Sequence, residues 1–349
     1  MRRVLLSSVL VASVSALTAC NSTVGIGADP NSAVYGHAEP AASPGAKDPA
    51  GDVVDFDPVS DMAALGDVLA VRTADSLTVG STQDFSADKA ERVGVDESCG
   101  DLTASTSHFV LACGDKVLLI DPQNPSAPTE LAVEEEAPIT VAAQTSSGEV
   151  FVGSKDSNKI GLYKDGERDK TIKVEAGSDQ LIAVPNTDGA DGADGSDGRD
   201  GVVRVLRDDS TIQSLDWEKH RAGGRLRVGQ GVGQISGGEG AVVVAADTVG
   251  KRVAIYTASD VIRLHQYGNT DGTPWATAWD SERSLAWVTT TDNNLLQAFK
   301  VANGVPEAAG SLSTVADAQN VAVLEDDTVV AASATGDGLQ FISDPSLKN

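Results

Sequence analysis

Cys99 and Cys113 are the residues whose types and spacing most directly permit chemistry in this chain. A disulfide between them would close a loop of about 15 residues and restrict the unfolded chain by roughly 3 kcal/mol. Two buried free thiols or a metal site are the other readings, and no histidine at ligand spacing accompanies them. Signals for other chemistry are scarce. There is no Gly-x-Ser-x-Gly elbow, no His-Glu-x-x-His helix and no phosphate loop. Gly229, Gly231 and Gly233 imitate part of a dinucleotide fingerprint, but the third glycine at the required offset is missing and the next residues read as strand. His108, His220 and His265 lie in separate segments, which suits packed or surface imidazoles better than a general base. With 51 acidic residues against 26 basic ones, paired carboxylates are too common to mark a site.

The third cysteine stands apart. Arg2 and Arg3 are followed by an apolar run from Val4 to Ala16 and then by Leu17-Thr18-Ala19-Cys20. The run is shorter than the roughly 20 residues of a spanning helix and has the plan of a cleaved export signal. Its end resembles the bacterial lipobox, which implies cleavage before Cys20 and lipid on that residue. An ordinary cleaved signal with a stray cysteine is the alternative. Residues 1–19 are thus read as a signal peptide and 20–51 as a linker, rich in Ala, Pro, Gly and Ser and expected to be disordered. Tyr35 and His37 fall within it as solvated linker residues. The formal net charge of −25 argues against nucleic acid and against flat adsorption on anionic lipid.

The elements that carry these residues repeat. From Pro274 to Ala316, four short apolar runs are separated by Asp280-Ser281-Glu282-Arg283, Thr291-Asp292-Asn293-Asn294 and Ala302-Asn303-Gly304. This is the spacing of a four-stranded antiparallel meander, and such a sheet cannot bury both faces unless copies stack against it. Copies begin near Asp61, Gly100, Pro138, Asp179, Val232, Pro274 and Asp317, at the period of about 40–45 residues expected of propeller blades. One longer interval carries the low-complexity Asp-Gly insert 189–201. The last unit has three strands, and Val53-Val54-Asp55-Phe56 is the spare strand that would complete it. The prediction is an all-β, seven-bladed β-propeller of four-stranded antiparallel blades over residues 52–345, closed by an N-terminal strand in the last blade, which removes exposed sheet edges.

Three further features have a functional reading. The loops entering each blade's first strand open around the channel and present Gln180, Gln234, Trp275, Gln319 and Asn320, amides and an indole that would grip a polar ligand or peptide. The bland reading is that they cap strands and pack between blades. Arg221, Arg225 and Arg227 form the one basic patch, either a solvated loop or a contact for an acidic partner. The Asp-Gly insert misses the spacing of a helix–loop–helix calcium site and reads as an acidic loop. Weak Ca²⁺ binding is its alternative, and no other cofactor is expected.

Lys251-Arg-Val-Ala-Ile-Tyr256, Val261-Ile-Arg-Leu264, Pro274-Trp275, Leu285-Ala-Trp-Val288, Gly304-Val-Pro306 and Gln319-Asn320 carry a family resemblance. The blade pattern resembles YVTN/WD40-like propellers, and with the lipobox and linker the chain looks like the actinobacterial LppL-type lipoproteins. The resemblance implies a lipid-anchored envelope protein on the extracytoplasmic side of the cell membrane and transfers no catalytic residue. The expected function is a non-catalytic binding or scaffolding module, monomeric in its propeller, that meets envelope proteins or a polar extracytoplasmic ligand. A propeller enzyme of lactonase, lyase or glycosidase type is the alternative.

Overall fold

The repeat closes into a ring. The computed structural model describes residues 36–186, 198–301, 304–343 and 345–347, and these form seven antiparallel sheets of four strands around a central channel. The innermost strands of blades 1 to 7 are Asp61–Leu65, Leu102–Ala104, Val141–Gln144, Gln180–Val184, Val232–Gly238, Pro274–Asp280 and Ala318–Val323. Six blades run outward in chain order. Blade 7 takes Ala318–Val323, Val329–Ser333 and Leu339–Ile342 from the end of the chain and its outermost strand, Asp52–Val54, from ahead of blade 1. That strand lies antiparallel to Leu339–Ile342, with Asp52 opposite Phe341 and Val54 opposite Leu339.

Position within a blade decides composition. Second strands contact neighbouring blades on both faces, and Phe109–Cys113, Leu285–Thr290 and Val329–Ser333 are buried at every residue. Outer strands need only one covered face and turn polar, as in Glu167–Lys173 and Arg263–Asn269. An apolar cluster fills each interface between successive blades, Val203 and Val205 meeting Val243 and Tyr256 between blades 4 and 5, for example. At the closing seam Gly338 has φ +106°, and a Cβ there would stand 2.5 Å from the Val54 carbonyl oxygen. Only glycine lets the two strands approach this closely.

Two features depart from the sequence reading. Residues 36–51 are not a free linker but a strap laid over blades 5 to 7, on the connections that enter blades 5 and 7 and on the turn between the second and third strands of blade 6. Gly36 N–H donates to Gln230 O at 3.3 Å and Ala50 N–H to Ser313 O at 3.0 Å. Between them, Ser43 Oγ donates to Thr291 O at 2.7 Å, and Asn294 Nδ2 to Pro44 O at 2.8 Å. Small residues without an apolar period dock here through backbone groups, with Ala38 buried against Trp275. His37 is correspondingly tied, its Nδ1 lying 3.1 Å from Asp208 Oδ1. The second departure is a short helix in blade 1, Thr82–Ser86, capped by Ser81 and Asp84 in a reciprocal box. It sets Phe85 between Phe56 and Phe341, at ring-centre distances of 5.9 and 6.1 Å. Among the described residues no helix is long and apolar enough to cross a membrane. The signal 1–19, Cys20, Tyr35 and most of the Asp-Gly insert lie outside the described residues.

Candidate functional site

All seven innermost strands line one cavity of about 440 Å³ along the channel. Gln180, Gln234 and Asn320 are on its wall, whereas Trp275 and Gln319 are not. The reason is a shift of register at the start of the innermost strand in blades 5, 6 and 7, between Val232 and Ile235, Pro274 and Thr277, and Ala318 and Asn320. Such a bulge adds one residue and re-aims the side chains around it. In blade 7 Gln319 is the extra residue, and Asn320, paired just after it, reaches the channel. Gln234 and Trp275 both lie within the shifted spans of their blades, where Gln234 lines the channel and Trp275 does not. Trp275 is instead 8% exposed beneath the strap, with the Arg207 guanidinium 5.5 Å from its ring centre.

The amides on the wall differ in freedom. Gln180 is committed to structure, because its Nε2 donates to Ile235 O and its Oε1 accepts from Ile235 N–H, both at 2.9 Å. Asn320 is 3% exposed, and its Nδ2 makes a long 3.5 Å bond to Val59 O. Gln234 lines the cavity with no side-chain partner among the described residues.

The channel mouth also holds carboxyls that the sequence reading passed over. Asp61 begins the innermost strand of blade 1, where its Oδ2 accepts Leu102 N–H at 2.7 Å and its Oδ1 accepts Met62 N–H at 2.8 Å. Burial pushes its carboxyl up to about 6, against the pull of those two amides and of the Arg72 charge. Asp101, the residue before the innermost strand of blade 2, is raised well above the ordinary carboxyl range by burial and by the field of Asp61, with Arg207 and Arg72 opposing. Arg72 is itself buried and donates to Gly100 O at 2.6 Å and to Cys99 O. It thereby holds the loop from which Asp101 projects. Nε of Arg72 and Nε of Arg207 are buried without a hydrogen-bond partner. A signal existed: Asp61, Asp101 and Asp179 share the position at which their blades enter the channel.

Cys99 and Cys113 form a disulfide, S–S 2.04 Å, that ties the connection between blades 1 and 2 to the end of a blade 2 strand. The basic patch is engaged by carboxylates and a carbonyl of its own blade and of the connection from blade 3. Arg221 Nε donates to Asp216 Oδ2 at 2.9 Å, Arg225 pairs with Glu175 and Asp209, and Arg227 donates to Asp209 O at 3.4 Å. Among the described residues no group of three or more His, Cys, Asp or Glu side chains converges as a metal site.

No protein-family model matches the chain, and no curated protein matches it. Solved structures do. A chain of a mitotic checkpoint complex aligns at a TM-score of 0.64 with 13% identity, covering 98% of this chain and 100% of its own length. A chain of hydrazine synthase from Kuenenia stuttgartiensis aligns at 0.62 with 12% identity, covering 84% of this chain and 98% of its own. The fold is that of a WD40-like propeller. At such identities the likeness extends to architecture and not to the site, where the propeller's mouth residues must speak for themselves.

Proposed function

We propose that this propeller is a binding module of the cell envelope, held on the extracytoplasmic side of the membrane by lipid on Cys20. Its LppL-like organisation is part of that reading. The channel mouth receives a neutral polar ligand or the polar tip of an envelope protein. The observation that carries the reading is the uncommitted amide of Gln234 in the channel lining, which also holds the Asp61 carboxyl with its proton affinity raised by burial. An amide both donates and accepts, so this lining matches hydroxyl and amide groups. The disulfide is compatible with an oxidising compartment, and the neighbour from a checkpoint complex shows this architecture inside a protein assembly.

The test is crosslinking of the lipidated protein in its native membrane with mass-spectrometric readout, beside Cys20→Ser. The expected result is a reproducible partner or ligand at the mouth, lost at least tenfold in the Asp61→Asn, Gln234→Ala double variant. Unchanged capture by that variant would remove the channel from the account. The enzyme reading has one observation in its favour, since two neighbouring carboxyls with raised proton affinity could act as an acid and a base near neutral pH. Turnover of a captured metabolite, abolished by Asp61→Asn, would establish it.

A further inference from the structure

A second cavity lies outside the channel. A hollow of about 720 Å³ lies beside blade 2, with Leu77, Val93, Val95, Leu118, Ile120 and Val133 among its walls and the Cys99–Cys113 disulfide forming part of its lining. Its origin is visible in the strands. The outer strands of blades 3 to 6 are each seven residues long, whereas those of blades 1 and 2, Glu91–Gly94 and Thr129–Ala132, have four. Where the outer strands are short, Val93 and Val95 stay half-buried beside the hollow, over a floor of buried Leu77, Leu118 and Ile120. Pro125 and Pro128 lie in the lining and can extend no sheet across the gap.

The lining has one sign of charge. Asp96, Asp115, Glu130, Glu135 and Glu136 face a single basic residue, Lys116. Lys116 already pairs with Glu130 at 2.6 Å, Lys159 with Glu136, and Arg168 with Glu135 at 2.9 Å. Asp96 and Asp115 have no ion-pair partner among the described residues. Asp96 is held ionised by hydrogen bonds from Ser98 Oγ and Ser98 N–H, which lower its pKa.

We propose that this hollow is a second binding site, separate from the channel, for a small amphiphilic organic cation. Such a ligand carries an ammonium or guanidinium head on an apolar body. The body would lie against the half-buried Val93 and Val95 and the apolar floor beneath them, a gain of roughly 25 cal/mol per Å² of apolar surface covered, while the head would meet Asp96 and Asp115 at the rim. Cavities of about 300–1,000 Å³, mostly apolar with a few placed polar groups, are the usual size and character of small-molecule sites. An anion of the same shape would meet uncompensated carboxylates and be rejected.

The experiment uses the full lipidated chain in neutral-lipid nanodiscs and a matched pair of photoprobes: a phenyl diazirine bearing trimethylammonium and the same ring bearing sulfonate. Labelled positions are read by mass spectrometry, with empty nanodiscs subtracted. The ammonium probe should label the segments around Val93–Val95 and Pro125–Val133 at least tenfold more than the sulfonate probe does. Val95→Trp, which fills the hollow, should abolish that label. Asp96→Asn with Asp115→Asn should weaken it severalfold while leaving the near-UV circular dichroism unchanged, which keeps the question open to an answer if the tryptophan variant misfolds. Equal labelling by the two probes, or label that survives both variants, would overturn the proposal.

Discussion

Asp61 gives the channel mouth a pH response that can be measured in the folding equilibrium. Its folded carboxyl titrates near 6 against an ordinary 3.8, so the folded state binds the proton more tightly. The associated stability is fully present below about pH 3.8 and is lost as pH rises through about 6. At about 1.36 kcal/mol per unit the loss approaches 3 kcal/mol. Asp101 acts in the same direction. Glu149 acts in the opposite one: despite its burial, hydrogen bonds from Ser147 and Thr145 hold it down to about 2, and its contribution disappears as pH falls below the usual carboxyl range. Asp61→Asn should therefore flatten the decline of stability between about pH 4 and 6, as followed by urea unfolding. An unaltered slope would mean that Asp61 is ionised without cost. Repulsion among the many surface carboxylates also eases in acid, but that effect is common to both proteins and drops out of the comparison. None of this was legible from composition. In a chain with 51 acidic residues, only the fold distinguishes a carboxyl enclosed by a neighbouring blade from one in water.

Among the elements, the connection between blades 1 and 2 is held twice, by the Cys99–Cys113 disulfide and by Arg72 on the Cys99 and Gly100 carbonyls. Cys99→Ser with Cys113→Ser should lower the unfolding free energy by about 3 kcal/mol through the freed loop, while Arg72 keeps the loop in place. Hydrogen exchange at residues 99–101 would check this, with near-native protection expected in the variant. Strand positions were largely legible because apolar runs and turn residues alternate at a fixed period. The bulges were not, and at them Gln319 and Trp275 fall off the channel lining while Asn320 and Gln234 stay on it. Nothing in Pro274-Trp275-Ala276 announces the inserted residue. The strap was hidden for a related reason: its bonds are mostly to backbone atoms, which leave no pattern in side-chain type.

At the scale of the molecule, the ring depends on one short junction. Gly338→Val would force a side chain into a positive-φ position and against the Val54 carbonyl, a strain of about 1–3 kcal/mol. The expected outcome is a sharp rise in hydrogen exchange across 52–54 and 339–342 with the inner blades still protected, whereas uniform loss of protection would show that the ring opens as one unit. The seven-fold plan itself was readable, including the need for a borrowed strand, since a three-stranded last blade cannot match its neighbours. That arrangement also determines how the protein bears load. Tension applied at the N-terminal end pulls first on the strap, whose contacts at Gly36, Ser43, Pro44 and Ala50 lie one after another and can peel singly. Only when they have yielded does the pull reach the strand Asp52–Val54. The strap is thus a mechanical fuse in series with the ring, taking up slack by small successive ruptures before the propeller itself is strained.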